Sequence, residues 1–319
     1  MTINWSRKPF IIGFIYALAI TCTEVYLDHN VSIPWQPLGV IGIAVAFYLG
    51  FKNNSSYDRT WEARKIWGSI VNDSRSFAAA VASFIKTGNE EEETSIKRAL
   101  VYRHIAWLAA LRYQLRLSKP WEHINERLKG VYVPTVCEAY FNELDVELKD
   151  LIPSDELHTY KSKTNMAAQM LAVQTEKLKQ LKDLGHVTEM EHFRLQELVG
   201  NLYDNQGRCE RIKNFPFPRQ YASTALWTTF VFSALIPFGL LDVFTGSSWV
   251  WLTVPFSALI IWIFFLMEMI GDYSENPFEG TYNDVPITSI ARAIEIDLRE
   301  MINDPNIPEP ISEQNGFLM

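Results

Sequence analysis

Ile43, Phe47 and Phe51 follow one another at four-residue intervals, a spacing that lines bulky apolar side chains along one face of a helix. Such a row does no covalent chemistry; it controls hydration. Repeated around a ring of identical subunits, it would make a narrow apolar throat that resists wetting and so resists ions. Beyond Phe51 the same face presents Ser55, Asp58 and Glu62, polar groups of the kind onto which a water-filled conduit opens. A plainer reading stands beside this one. Gly42, Ala46 and Gly50 also recur every fourth residue, the small-residue pattern that lets membrane helices approach closely. Packing alone explains such a helix more often than a pore does, and the two are compatible.

Residues for catalysis are hard to find. There is no glycine-rich phosphate loop, no Gly-x-Ser-x-Gly elbow and no His-Glu-x-x-His. The densest metal-type cluster is His186, Glu189, Glu191 and His192, but on a helix positions 186 and 192 fall on different faces. Cys22, Cys137 and Cys209 are too scattered for a disulfide framework or a zinc site, and are expected to be reduced and structural. The reading is therefore of a protein that is not an enzyme, with no metal, no cofactor and no nucleic-acid partner.

The elements that must carry the row lie in a lipid bilayer. An apolar fraction of 48% averages very apolar stretches with a charged middle, so the composition looks soluble while the chain is not uniform. Four segments approach the ~20 apolar residues a span needs: Phe10–Leu27, which contains Glu24, Trp35–Phe51, Ala222–Leu241 and Trp249–Met269. The connections from Asp28 to Pro34 and from Asp242 to Ser248 lack Lys and Arg. By contrast, Arg7, Lys8, Lys52, Arg59, Arg64, Lys65, Arg208, Arg211, Lys213 and Arg219 flank the opposite ends. The positive-inside rule then puts both termini and the middle in the cytoplasm. Trp35 and Trp249 stand where interfacial anchors are expected, and the first segment, lacking a small-x-small cleavage site, is read as a retained span. Pro237 and Pro255 are expected to interrupt the third and fourth spans.

The middle reads as helical throughout. Trp61, Ile66, Ile70, Phe77, Val81 and Ile85 recur at helical intervals, as do Leu100, Ile105, Leu108 and Leu111. Gly88 marks a helix stop and Asn89 the next cap, which makes Glu90–Glu93 a solvated first turn favoured by the helix dipole. Pro120, Pro134 and Pro153 divide the region into shorter helices, and the tail after Pro305 is expected to be extended or disordered. The domain reading is residues 1–52 for the first transmembrane pair, 53–220 for a cytoplasmic helical region, 221–270 for the second pair, and 271–319 for a cytoplasmic segment and tail.

Leu49-Gly50-Phe51-Lys52-Asn53-Asn54-Ser55-Ser56-Tyr57-Asp58-Arg59, continued by Glu62-Ala63-Arg64 and Trp67-Gly68, resembles the signature of the bacterial bestrophins. So do Asn276-Pro277-Phe278, Asn283-Asp284-Val285-Pro286, Cys209-Glu210-Arg211 and the Pro216-x-Pro218-x-x-Tyr221 approach to the third span. The resemblance covers nearly the whole chain; the stretch from roughly residue 120 to 180 matches poorly. It implies an all-α homopentameric ion channel in the bacterial inner membrane. Its four transmembrane helices, in two hairpins, flank a cytoplasmic helical bundle around a central pore. The neck positions become Ile43, Phe47 and Phe51. A second, cytoplasmic aperture falls at Met190 when counted back from Cys209-Glu210-Arg211. Animal relatives hold calcium with a run of acids after Asn-Pro-Phe, where this chain has only Glu279 and Asp284, too few for a calcium cage.

Apolar rings carry no charge with which to choose an ion. Family grounds place chloride first among permeant monovalent ions. Asp58, Glu62 and a net charge of −8 lean towards sodium-like cations, with Lys52 and Arg59 expected close enough to offset the acids. A membrane-anchored scaffold and a secondary transporter remain as readings of other classes, although no repeat of the kind transporters use is visible.

Overall fold

The computed structural model describes residues 2–27, 30–122, 144–245, 249–281 and 284–313. Every regular element among them is helical: α1 (Thr2–Leu27), α2 (Trp35–Phe84), α3 (Glu90–Arg116), α4 (Leu144–Leu148), α5 (Ser154–Lys161), α6 (Met166–Asp183), α7 (Glu189–Asn214), α8 (Arg219–Phe244), α9 (Thr253–Tyr273) and α10 (Ile287–Met301). Pro134 and Cys137 lie outside the described residues. Among the described residues four helices are long and apolar enough to cross a membrane: Ser6–Leu27, Trp35–Phe84, Arg219–Phe244 and Val250–Tyr273.

The chain divides into two compact units. The first contains α1, the start of α2 as far as Arg59, α8 and α9. In it α1 packs chiefly on α9, and α8 packs on α9. α2 meets α8 through glycines: a Cβ on Gly42 would lie 2.7 Å from Phe232 Cζ, and one on Gly239 would lie 2.4 Å from Leu38 Cδ2. Gly50, the third member of the small-residue series, has open space around its Cβ position. The stripe is thus a packing surface at its upper end only. Gly42→Val should displace the buried Phe232 ring and cost ~1–3 kcal/mol of stability, whereas Gly50→Ala should cost little; thermal unfolding of the two variants compares them directly.

The start of α2 is tied to α8 in this unit. Ile33 N–H donates to the Phe238 carbonyl at 3.2 Å, and Trp35 N–H, an orphan donor at the start of α2, to Asp242 Oδ2 at 3.1 Å. Glu24, conspicuous in an apolar segment, accepts from Val31 N–H at 2.8 Å.

α2 carries on past its apolar stretch, as the continuation of the row's face to Glu62 requires, and runs for 50 residues, about 75 Å at 1.5 Å per residue. One expectation needs correction. Pro237 and Pro255 do not break their helices. α8 runs through Pro237, and Pro255 sits in the first turn of α9, where its missing N–H has no helical partner to lose.

In the second unit α3 packs on α6, α6 on α7, and α10 on α3, around a core that includes Trp67, Phe77, Trp107, Leu111, Leu178, Leu198 and Leu298. Trp61, the first of the recurring apolar residues, is exposed, and the inward face of α2 begins at Ala63 and Ile66. The cap reading holds. Gly88 has φ +80°, the left-handed region that suits glycine, and the Asn89 side chain accepts from the N–H groups of Glu91 and Glu92. Pro153 precedes α5.

His104 is buried against Phe77, with Nε2 2.9 Å from Ser74 Oγ. Burial pushes its imidazole down from 6.5 to about 3. A depressed folded value means that the unfolded chain binds the proton first. The contribution is complete above pH ~6.5 and is lost as pH falls towards ~3, at up to ~1.4 kcal/mol per pH unit. His104→Gln should flatten this acid branch in thermal unfolding measured across that window; an unchanged slope would remove His104 as its source.

Candidate pore-lining face

Successive residues of α2 turn by about 100°, so neighbours in the signature stretch point in very different directions. Ile43, Phe47 and Phe51 are 74%, 68% and 50% exposed within this single chain. Leu38, Val45 and Leu49, on the other side of the same helix, are buried against the first unit's core. Phe47 and Phe51 meet edge to face with ring centroids 4.6 Å apart, a favourable arrangement that gives the row a defined shape. The three positions rise about 12 Å along the helix axis. Val40, 69% exposed, belongs to the same face. A strict four-residue spacing misses it, because a period of 3.6 alternates steps of three and four.

Ser55 and Asp58 continue this face and are exposed. Glu62 is half-buried and accepts from Arg211 of α7 at 2.5 Å. The expectation that Lys52 offsets the acids is corrected by its contacts. Lys52 lies nine residues after Ile43, half a revolution away, and is wholly buried, with Nζ 2.7 Å from Glu268 Oε1 and 3.5 Å from Asp272 Oδ1. Arg59 Nε donates to the Glu275 carbonyl at 2.9 Å. Lys52 is thus held at the end of α9, and Arg59 reaches the turn that follows it. Acids four residues apart at the end of an apolar span, with one lysine at the end of another, were the available signal for this cluster.

Further along α2, Ser69, Asn72 and Asp73 face Asn201, Asp204 and Arg208 of α7 across a polar cavity of about 250 Å³. Asn205 Nδ2 donates to Asp73 Oδ2 there at 2.7 Å. Met190 is the second residue of α7, 78% exposed, in a turn fixed by the Thr188–Glu191 capping box. Glu191 is therefore a capping residue. His192 Nε2 lies 3.4 Å from Gln196 Nε2, and its imidazole is held below its ordinary value by burial. Among the described residues no three His, Cys, Asp or Glu side chains come together as a metal group would require. Cys209 is buried, which pushes its thiol up and makes it unreactive.

The loop after Asn-Pro-Phe explains what its acids do. Asp284 accepts from Gly280 N–H at 2.5 Å, Thr281 N–H at 3.1 Å and the Thr281 hydroxyl at 2.7 Å, with Arg116 Nη1 3.3 Å away. Gly280 has φ +102°, a conformation strained for a residue with Cβ. Glu279, also buried, is near enough to Lys213 and Glu122 to influence their charges. A carboxylate already surrounded by N–H, O–H and guanidinium donors does not fit a calcium ligand set, which needs six to eight oxygens turned inward.

These features define an all-helical membrane protein in which an exposed apolar row leads onto the polar continuation of the same helix. The chain belongs to the bestrophin family: the model for the bacterial and fungal bestrophin proteins matches residues 6–300. A voltage-dependent anion channel-forming protein of Ralstonia nicotianae is 28% identical, with 94% of this chain and 88% of the relative covered. Its counterpart in Nostoc sp. is 29% identical over 96% of this chain and 92% of the relative. The crystal structure of a bacterial bestrophin homolog from Klebsiella pneumoniae matches with a TM-score of 0.75 at 22% identity, covering 96% of this chain and 100% of that one. This last likeness is one of fold.

Proposed function

We propose that this chain is the subunit of a homopentameric channel that passes monovalent ions passively across a bacterial inner membrane, anions such as chloride foremost. The observation that carries this reading is the exposure of Ile43, Phe47 and Phe51 on a helix whose opposite face is buried. Five copies of α2 around an axis would bring those side chains into three stacked apolar rings. The rings hold back ions by dewetting when narrow and pass them when slightly wider, so no catalysis is required. The four spans, in two sequence-adjacent pairs with termini and middle cytoplasmic, would set the neck in the bilayer. Ser55, Asp58 and Glu62 would line the cytoplasmic side, with Met190 at a second aperture in the helical region. The curated relatives from Ralstonia and Nostoc, named as anion channel-forming proteins, support the anion reading.

One observation favours a second reading, a sodium-type cation channel. Lys52 is turned onto α9 while Asp58 stays exposed on the apolar row's own face, which leaves negative charge beside the path. Reconstitution of the full chain into liposomes with opposed chloride and sodium gradients separates the possibilities. A reversal potential near that of chloride supports the anion channel, and one near that of sodium the cation channel. Saturable coupled flux would indicate a transporter, and silence a scaffold. Currents should be unchanged by calcium chelation, because Asp284 is committed to its own loop and to Arg116; a steep rise of opening with cytosolic calcium would refute this.

A further inference from the structure

The cavity of about 250 Å³ in the second unit is lined only by polar and charged residues. Ser69, Asn72 and Asp73 come from α2, and Asn201, Asp204, Asn205 and Arg208 from α7, at steps of three and four that put each set on one helical face. Asp73 already has a partner. Its Oδ2 accepts from Asn205 Nδ2 at 2.7 Å, and Asn205 is itself buried, so this carboxylate is fixed in the wall. Asp204 and Arg208 differ from it. They stand four residues apart on α7, acid first, the spacing and order that favour an ion pair along a helix. They form none, and neither has another ion-pair partner among the described residues. The other arginines of α7 are matched, Arg194 with Glu197 at 2.6 Å and Arg211 with Glu62 at 2.5 Å.

One cavity therefore presents an anion and a cation that do not neutralise each other, among amides and a hydroxyl that both donate and accept. A simple ion of either sign would satisfy only one of the two charges. We propose that the cavity binds a small zwitterion, an α-amino acid with a short or polar side chain. The amino acid's carboxylate takes the Arg208 guanidinium, whose paired N–H groups match two carboxylate oxygens. Its ammonium has three N–H donors, which suit the Asp204 and Asp73 carboxylates and the side-chain oxygen of Asn72 or Ser69. A large apolar side chain would find no apolar surface in this lining, and the volume is below that of the usual pocket for larger ligands.

The test is equilibrium dialysis of the purified full-length protein in mild detergent against radiolabelled serine and, in parallel, glycine, with acetate and methylammonium as competitors that carry one charge each. The amino acids should bind saturably at one molecule per chain, and neither competitor at equal concentration should displace them. Arg208→Gln and Asp204→Asn should each weaken binding about tenfold or more, the loss that follows a missing charged hydrogen-bond partner. Both side chains are exposed and without an ion pair, so the two variants should keep the wild-type Tm, which a thermal scan of the same samples verifies. No saturable binding of either amino acid by the wild type, or undiminished binding in either variant, would overturn the proposal. So would full displacement by one competitor: acetate would leave only an anion site at Arg208, and methylammonium only a cation site at Asp204.

Discussion

Replacing Ile43, Phe47 and Phe51 together with Ala should raise single-channel conductance by tenfold or more, or leave the channel open throughout. The expectation rests on the side chains the row presents. Three side chains that are half to three-quarters exposed in the isolated chain contribute almost nothing to the core of their own unit, so truncation removes little packing. It does remove the apolar groups that would make five-fold rings too narrow and too dry for a hydrated ion. A barrier lowered by only ~1.4 kcal/mol increases passage about tenfold, and widening three successive rings by the difference between Phe and Ala should do at least that. Single substitutions should act in the same direction with smaller effect, because the remaining rings still dewet. Thermal stability should hardly change. Planar-bilayer recording gives the conductance, and a triple variant with wild-type currents would take the pore from this face of α2. A variant with wild-type conductance but a collapsed thermal midpoint would instead assign the row to packing.

Much of the fold was legible in the chain because the physics involved is local. The apolar spans, the Gly88 stop and the Asn89 cap depend on side chains within one or two turns of each other, and the row Ile43, Phe47, Phe51 needs only the helical period. The features beyond reach depended on partners far away in sequence. That Glu62 pairs with Arg211, 149 residues on, or that Asp284 closes its own loop with Arg116 beside it, cannot be inferred from charge spacing. The largest error of direction concerned Lys52. Proximity along the chain suggested that it would neutralise Asp58 and Glu62, whereas a rotation of 100° per residue sends it to another side of the helix. Val40 was passed over for a related reason, since a fixed step of four drifts off a face that steps of three and four together maintain.

Lys52 is also the residue whose loss should be felt most strongly in stability. Its ammonium is wholly buried, and it is held by Glu268 and Asp272, which are buried as well. Lys52→Met keeps the length and the apolar stem but leaves two carboxylates in a low-dielectric interior without their cation. Removing one partner of such a cluster costs ~3–5 kcal/mol. Neutralising the whole set by Lys52→Met, Glu268→Gln and Asp272→Asn together should recover most of that loss, because the penalty comes from the stranded charge more than from the missing attraction. The effect should extend to the neck. Lys52 comes directly after Phe51, and one helical step away Asn53 fits the space left by Gly271, whose Cβ position lies 2.4 Å from Asn53 Oδ1. These anchors, with Arg59 on the Glu275 carbonyl, fix the rotation of α2 about its axis and therefore which side chains it presents on the face opposite Lys52. Lys52→Met should lower the apparent Tm by several degrees and give currents of variable amplitude, while the triple variant should restore a single conductance. An unchanged Tm in Lys52→Met would mean that the cluster does not hold the helix, and the setting of the neck would then have to come from the Gly42–Phe232 and Gly239–Leu38 contacts alone.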